Sequence, residues 1–358
     1  MIAFDIIVLG CGGGPSEYNL SSYLLKPCDL PWSDGIIGLE AGSGLGALTH
    51  LLMKNPDLFG SRNPEDQIGH WKPYSTAEIF SWIQCYLITH AHLDHVNSLV
   101  LAAGSLGGPS RKVYASRQTL QDIESIFSDR LWPNLGSWDD NDENAALIYT
   151  ELHSNNQYRP ITAEVSVLTM PVSHGKDQRN RSYDSTAFFI KHEKSSQEFL
   201  FFGDVEPDSI AIKPRTLDVW RLAARKIPHA LSNIFIECSW PIGRPDDLLY
   251  GHLNPEHLSE ELSILATEVV KIQQGDVKEG IESNGARIRK KQRLDPLTTL
   301  KGALSNVKVY ITHCKEDLRG EYDCPVNQII AAQVQTLADG LGLGVEIIAV
   351  DQGMHIRV

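Results

Sequence analysis

The segment His90-Ala91-His92-Leu93-Asp94-His95 places three imidazoles and one carboxylate within six residues, directly after the apolar run Cys85-Tyr86-Leu87-Ile88-Thr89. Imidazole nitrogen and carboxylate oxygen are the donors that zinc and similar divalent ions take in catalytic sites. A strand ending near Thr89 delivers these side chains into a loop, where alternate residues point at different ions, so the motif reads as a two-metal site. The competing reading is a surface histidine cluster, or a helix start with Asp94 near its cap. Further strand-then-ligand segments downstream argue against it.

Three such segments follow in order. Ser173-His174-Gly175 succeeds the apolar stretch Val165 to Val172. Gly203-Asp204 succeeds Phe199 to Phe202, and His313 succeeds Val307 to Thr312. Singly each is weak, because a lone histidine after a strand is commonly a hydrogen-bonded loop residue and Gly-Asp is commonly a turn. Together with His-x-His-x-Asp-His, their order resembles the metallo-β-lactamase fold superfamily. The longer run from His90 to Val100, with Gly251-His252-Leu253-Asn254-Pro255-Glu256-His257-Leu258, is similar to the class II cyclic-nucleotide phosphodiesterases, a group that includes fungal low-affinity enzymes acting on cyclic AMP. The resemblance spans the chain from Gly10-Cys11-Gly12-Gly13-Gly14 to His313. One departure is Ala102-Ala103-Gly104-Ser105, where that family tends to carry a serine followed by a small residue or proline; it bears on helix packing and not on the ligands.

The resemblance implies an αββα sandwich and a ligand allocation. His90, His92 and His174 would hold one divalent ion, and Asp94, His95 and His313 the other, with Asp204 bridging; zinc is the expected metal. Two ions about 3.5 to 4 Å apart lower the pKa of a shared water and clamp phosphoryl oxygens. The implied reaction opens a 3′,5′-cyclic nucleotide, cyclic AMP and also cyclic GMP, to the 5′-monophosphate and so ends second-messenger signalling. Asp94 belongs to the catalytic set as well as to the second ion. Glu237 and His252 look like the Glu and His that act together in RNA-processing nucleases of this fold, with His252 as general acid or phosphate contact oriented by Glu237. An alternative role for Glu237 is to support a metal-bound histidine. His257 is expected to be structural.

Composition bounds the remaining classes. The 358 residues suffice for one large domain, 1–358, with insertions near 128–160 and 273–296, both expected as loops. A net charge of −13 disfavours a nucleic-acid groove, because polyanion binding relies on clustered Lys and Arg. The basic run Arg287 to Arg293 reads as a solvated linker, with a localisation or anionic-partner role as the alternative. The start lacks a basic, apolar leader, and no run approaches the roughly 20 apolar residues of a membrane span. The cysteines Cys11, Cys28, Cys85, Cys238, Cys314 and Cys324 show no CxxC spacing and read as reduced cytosolic thiols. A cytoplasmic enzyme on a small cyclic nucleotide, with no nucleic-acid or membrane partner and with a homodimer allowed, is the expectation. Other hydrolases of the fold, an RNA 3′ endonuclease or a lactonase or thioesterase, are the alternative.

The elements that must position these residues follow from periodicity. Asp5–Leu9, Ser21–Lys26, Ile36–Leu39, Cys85–Thr89, Val165–Thr169, Thr186–Lys191, Phe199–Phe202, Asn233–Glu237 and Lys308–Thr312 read as strands. Gly44–Met53, a segment from about Val96, Leu217–Arg225, Pro255–Val269 and Asn327–Leu341 show helical spacing. Periodicity alone yields an α/β protein. The glycine run Gly10–Gly14 lacks the Gly-Lys-Ser/Thr ending of a phosphate loop and is expected as a tight turn beside the metals. Trp132, Trp138, Tyr183 and Trp240 could stack on a base, although aromatic residues in such a protein are core by default.

Overall fold

Alternating burial builds four layers. In a computed structural model, residues 2–60, 73–105, 107–282 and 300–358 are described. The first half lays down β1 (Phe4–Gly13), β2 (Leu20–Pro27), β3 (Ile36–Leu39), α1 (Leu45–Lys54), α2 (Thr76–Ser81), β4 (Ile83–Leu87), α3 (Leu93–Ala102), β5 (Arg111–Ala115), α4 (Arg117–Ile126), β6 (Gly136–Ser137) and β7 (Leu147–Glu151). The second half adds β8 (Arg159–Pro160), β9 (Val165–Lys176), β10 (Ser182–His192), β11 (Glu198–Phe202), α5 (Thr216–Ala224), β12 (Leu231–Glu237), α6 (Pro255–Glu282), β13 (Lys308–Thr312), α7 (Val326–Gly340), β14 (Glu346–Ala349) and β15 (His355–Arg357). Among the described residues the strands form an eight-stranded sheet, β15-β1-β2-β3-β4-β5-β7-β6, and a seven-stranded sheet, β14-β13-β12-β11-β10-β9-β8.

Side chains alternate along a strand, so odd and even positions serve different layers. Phe4, Ile6 and Val8 of β1 join Phe188, Ile190, Phe199, Phe201 and Phe235 of the other sheet in one core between the sheets. Their neighbours Ile7 and Leu9 face a second core with α1 to α4. Phe189, Leu200, Phe202, Ile234 and Ile236 face a third with α5, α6 and α7. The order is therefore helices, sheet, sheet, helices, the αββα sandwich that was expected. Each fully buried Phe contributes roughly 1.5–3 kcal/mol, and Phe4, Phe188 and Phe199 are all fully buried. A frame with that much apolar burial does not depend on any one polar residue at its end.

Topology concentrates strand ends. β11, β12 and β13 are mutually parallel, and β9 runs in the same direction because β10 is antiparallel to both β9 and β11. Their carboxyl ends meet that of β4 from the other sheet. His90, His174, Asp204, Glu237 and His313 all lie at or just past these ends.

Several expectations are corrected. The run Gly10–Gly14 is not a tight turn: β1 continues to Gly13, paired with β2 through register shifts. The segment 128–160 is not all loop, because Gly136–Ser137 and Leu147–Glu151 are strands of the larger sheet. Helix α6 continues to Glu282, beyond Val269 and into the stretch expected as a loop. Residues 283–299, including Arg287 to Arg293, lie outside the described residues. The third helix begins at Leu93 rather than near Val96, which places Asp94 and His95 in its first turn. Among the described residues, no helix is long and apolar enough to cross a membrane.

Candidate metal centre

The seven residues expected as ligands converge. His90, His92, His174 and Asp204 form one donor group, and Asp94, His95, Asp204 and His313 a second, so Asp204 is common to both. Its Oδ2 lies 3.6 Å from His90 Nε2, 3.5 Å from His174 Nε2 and 3.3 Å from His313 Nε2, and its Oδ1 lies 3.3 Å from His95 Nε2. Within the sets, His174 Nε2 is 3.3 Å from His92 Nδ1, His95 Nε2 is 3.1 Å from His313 Nε2, and His313 Nε2 is 3.2 Å from Asp94 Oδ2. A tetrahedral ion with ligands at about 2.0–2.1 Å requires donor separations of about 3.3 Å. The donor sets fit divalent metal ions. The orphaned, buried Nε2 of His90 also fits, since a buried nitrogen with no partner is costly unless something fills its lone pair.

Charge is arranged for a cation. Burial drives the imidazoles of His90, His92 and His313 below their ordinary range and that of His174 to about 3. Their rings are therefore neutral at neutral pH, each keeping one N–H and one nitrogen with a lone pair, as metal binding requires. Burial would raise Asp204, but His313, His95 and His90 hold its carboxyl well below the usual range. Burial likewise opposes ionisation of Asp94, yet His313 and His95 lower it. His95 differs: burial disfavours its charge, but Asp204 and Glu40 together hold the imidazole well above the ordinary value.

Supporting residues fix the rings. Thr89 Oγ1 lies 3.0 Å from His90 Nδ1, His174 Nδ1 donates to the Gly251 carbonyl at 2.9 Å, and Ser239 Oγ lies 3.2 Å from His313 Nδ1. Glu40, fully buried and bonded to the Thr89 hydroxyl, lies 3.5 Å from His95 Nδ1. Such partners set which nitrogen meets the metal. Glu40 and His313 both adopt left-handed backbone, with φ of 59° each; non-glycine residues held there concentrate at functional sites. His313 is also tied to the glycine run, donating its N–H to the Cys11 carbonyl at 2.6 Å. A Cβ on Gly13 would sit 2.5 Å from His313 Nδ1, so this position needs glycine.

Glu237 and His252 are also assembled, and with His174 and Asp204 they make a third group of possible donors, His252 Nδ1 lying 3.8 Å from Asp204 Oδ2. Glu237 Oε1 lies 2.8 Å from His252 Nδ1 and accepts from the Val205 N–H at 2.9 Å, while Oε2 accepts from the Ser239 hydroxyl at 2.8 Å and the Leu253 N–H at 3.3 Å. The groups around this buried carboxylate are donors, so His252 donates from Nδ1. Through Ser239 the same carboxylate also reaches His313. His257 stands apart, 3.4 Å from Asp246. Sequence reasoning missed Glu40, Ser239 and Lys315; for Glu40 the signal was present, an acid directly after strand β3.

Of the four aromatic residues that could stack on a base, Trp132 and Trp138 are half-buried against the core between the larger sheet and its helices. Tyr183 stacks on His92, with ring centroids 4.6 Å apart and planes at 6°, and Trp240 lines a neighbouring cavity.

An αββα sandwich with a His/Asp centre at the shared end of its two sheets defines the metallo-β-lactamase fold. Two solved structures agree: unliganded yeast PDE1, at 24% identity and TM-score 0.78 with both chains covered completely, and the metallo-β-lactamase fold protein YhfI from Bacillus subtilis, at 11% identity and TM-score 0.55, likewise covered completely. Residues 70–353 match the family model of the class-II cAMP phosphodiesterases. A curated 3′,5′-cyclic-nucleotide phosphodiesterase of Schizosaccharomyces pombe is 32% identical over 280 residues, covering 75% of this chain and 76% of that one. This chain belongs to the class-II cAMP phosphodiesterase family.

Proposed function

We infer that the chain hydrolyses 3′,5′-cyclic nucleotides, cyclic AMP and also cyclic GMP, to nucleoside 5′-monophosphates. The observation that carries this reading is Asp204, a single carboxylate within 3.6 Å of donors from both sets, in a chain of this family. His90, His92 and His174 would hold one divalent ion and Asp94, His95 and His313 the other, with Asp204 within reach of both donor sets. Zinc is the metal the His and Asp donors suit. Bound here, two such ions supply a hydroxide at neutral pH and neutralise charge on the phosphoryl oxygens.

The chain's own groups complete the reaction. Attack at phosphorus breaks the bond to the 3′ oxygen, and the departing alkoxide requires a proton. His252 provides it from Nε2, because Nδ1 is committed to Glu237. Glu237 keeps that ring in one orientation and faces the positive charge of the acid form, and its anchoring by Val205, Leu253 and Ser239 keeps the carboxylate itself from moving. Asp94 serves as ligand and, through His313, fixes the second donor set. Six free thiols support a reducing, cytoplasmic setting.

The test is turnover of cyclic AMP and cyclic GMP by zinc-loaded protein, followed by phosphorus NMR. The expected product is the 5′-monophosphate, with two ions per chain in elemental analysis. Inert cyclic nucleotides alongside cleavage of precursor tRNA or a lactone would replace this reading with another hydrolase of the fold.

A further inference from the structure

Two cavities flank the metal centre, and the segment Trp240–Gly251 contributes to both. One, of about 610 Å³, adjoins His92 and His174. The other, of about 750 Å³, adjoins the second donor set through Gly13 and Lys315. Either is large enough for a nucleoside, so chemistry must decide which receives it.

Charge separates them. Beside His92 and His174 the walls carry Asp177, Glu206, Asp246 and Asp247 against the single cation Lys176. That lining repels a substrate that is an anion before hydrolysis and a dianion after it. In the larger cavity Arg244, Lys315 and Arg319 balance Glu316, Asp317 and Glu321. The cation nearest the metals is Lys315: its Nζ donates to the Gly13 carbonyl at 2.6 Å and lies 4.0 Å from Asp94 Oδ2. That anchoring holds an ammonium at the rim of the second donor set, where a phosphate oxygen can reach it.

The same cavity has a flat wall. The Arg244 guanidinium lies 3.5 Å from the centroid of the Trp240 ring, and its Nε donates to the Leu248 carbonyl at 2.7 Å. Aromatic rings and guanidinium planes are the surfaces on which bases stack, and this pair is immobilised before ligand arrives. The smaller cavity carries two aromatic residues, Tyr183 stacked on His92 and Tyr250 with the Arg244 guanidinium 5.9 Å from its ring, so the acidic lining rather than a lack of rings is what disfavours it.

We propose that the nucleoside of the substrate binds in the cavity walled by Trp240 and Arg244, and that Lys315 binds a phosphate oxygen. This rests on the phosphodiesterase reading and assigns the subsite that reading leaves open. The base stacks on the Trp240–Arg244 wall, the ribose spans toward Gly13, and the phosphate sits between Lys315 and the metal ligands.

The experiment is calorimetric titration of the zinc-loaded protein with 5′-AMP and, separately, with inorganic phosphate. Trp240→Ala should lower the ratio of AMP to phosphate affinity by roughly five- to a hundredfold, the range for loss of one base-stacking face. Arg244→Ala, which leaves the sheets untouched, should lower it in the same direction. Lys315→Gln should weaken both ligands about equally, by tenfold or more. Ile212→Trp, which fills the smaller cavity, should leave the ratio within twofold. A ratio lowered less than fivefold by Trp240→Ala and unmoved by Arg244→Ala, or lowered more than fivefold by Ile212→Trp, overturns the assignment. If wild-type protein opens cyclic AMP while the variants show that pattern, the subsite alone is wrong. If it neither opens cyclic AMP nor binds AMP more tightly than phosphate, the phosphodiesterase reading fails first.

Discussion

Replacing His252 by Ala and Glu237 by Gln, singly and together, tests whether the two act as one device. The 2.8 Å contact puts a carboxylate against the nitrogen that does not meet substrate, so Glu237 can act only through His252 or through the Ser239 link to His313. General acid catalysis is worth about 10²–10⁴ in rate, or about 3–5 kcal/mol, and His252→Ala should lose that much while retaining two metal ions. In Glu237→Gln the amide must turn its NH₂ toward either the Val205 N–H and His252 or the Ser239 hydroxyl and Leu253 N–H, all presently donors. One buried donor is then left unsatisfied, at a stability cost of about 1–3 kcal/mol, and the acid form of His252 loses its counter-charge. The single Glu237→Gln loss should be about 10²–10³, and the double variant should be no slower than His252→Ala within a few fold, because groups acting as a unit are not additive. The assay is kcat for cyclic AMP with metal content and melting temperature measured on each variant. Multiplicative losses in the double variant, or departure of an ion from His252→Ala, would refute the assignment; in the second case His252 is a ligand in place of His313.

Asp204→Asn should drop the metal content from two ions to one or none and cost at least 10³ in turnover, since the carboxylate lies 3.3–3.6 Å from histidines of both donor sets; retention of both ions with a tenth of the activity would contradict its shared role. Gly13→Ala forces a carbon to 2.5 Å from His313 Nδ1, and the expected result is loss of the ion that Asp94, His95 and His313 hold, read by elemental analysis against an unchanged far-ultraviolet spectrum. Remote from the metals, burial pushes the Glu261 carboxyl up to about 7, although Trp220 Nε1 and the Asp208 N–H donate to it. Because its folded value lies above the unfolded one, the stability this group confers is full below about pH 4.5 and lost as pH rises through about 7, a decline of up to about 3 kcal/mol. Glu261→Gln should remove that decline from the pH dependence of unfolding free energy, and parallel wild-type and variant curves would show that Glu261 titrates normally.

What could be read from the sequence was whatever announces itself locally. Each proposed metal ligand is a chemically distinctive side chain following an apolar strand, and strand periodicity located β3 and β13 to the residue. Residues whose role arises from contact across tens of positions were silent. Glu40 meets His95, Ser239 joins Glu237 to His313, and Lys315 is placed by the Gly13 carbonyl. Elements were missed where polar residues break the alternation. In β5 the buried Arg111 donates Nε to the Ile83 carbonyl at 3.1 Å, so a charge occupies a position that an apolar pattern would reserve for the core, and β7 sits within a stretch rich in Asp and Asn.

The glycine run failed for a related reason. Glycine weakens an isolated strand, which favoured a turn, but here the absence of side chains lets β1 extend past Leu20 and against His313. The feature that looks like an interruption of the fold is the one that brings the larger sheet against His313, the last of the proposed ligands. With the Gly12–Cys314 bridge and the bond from His313 N–H to the Cys11 carbonyl, it couples the two sheets at the point where their ligands must converge. The geometry of the second donor set is therefore a property of strand β1 as much as of the histidines themselves. A substitution at Gly13 should act on metal content before it acts on the fold, since its Cβ would meet the His313 ring, whereas one at Gly12 would press on the Asn19 carbonyl and so on the pairing of β1 with β2.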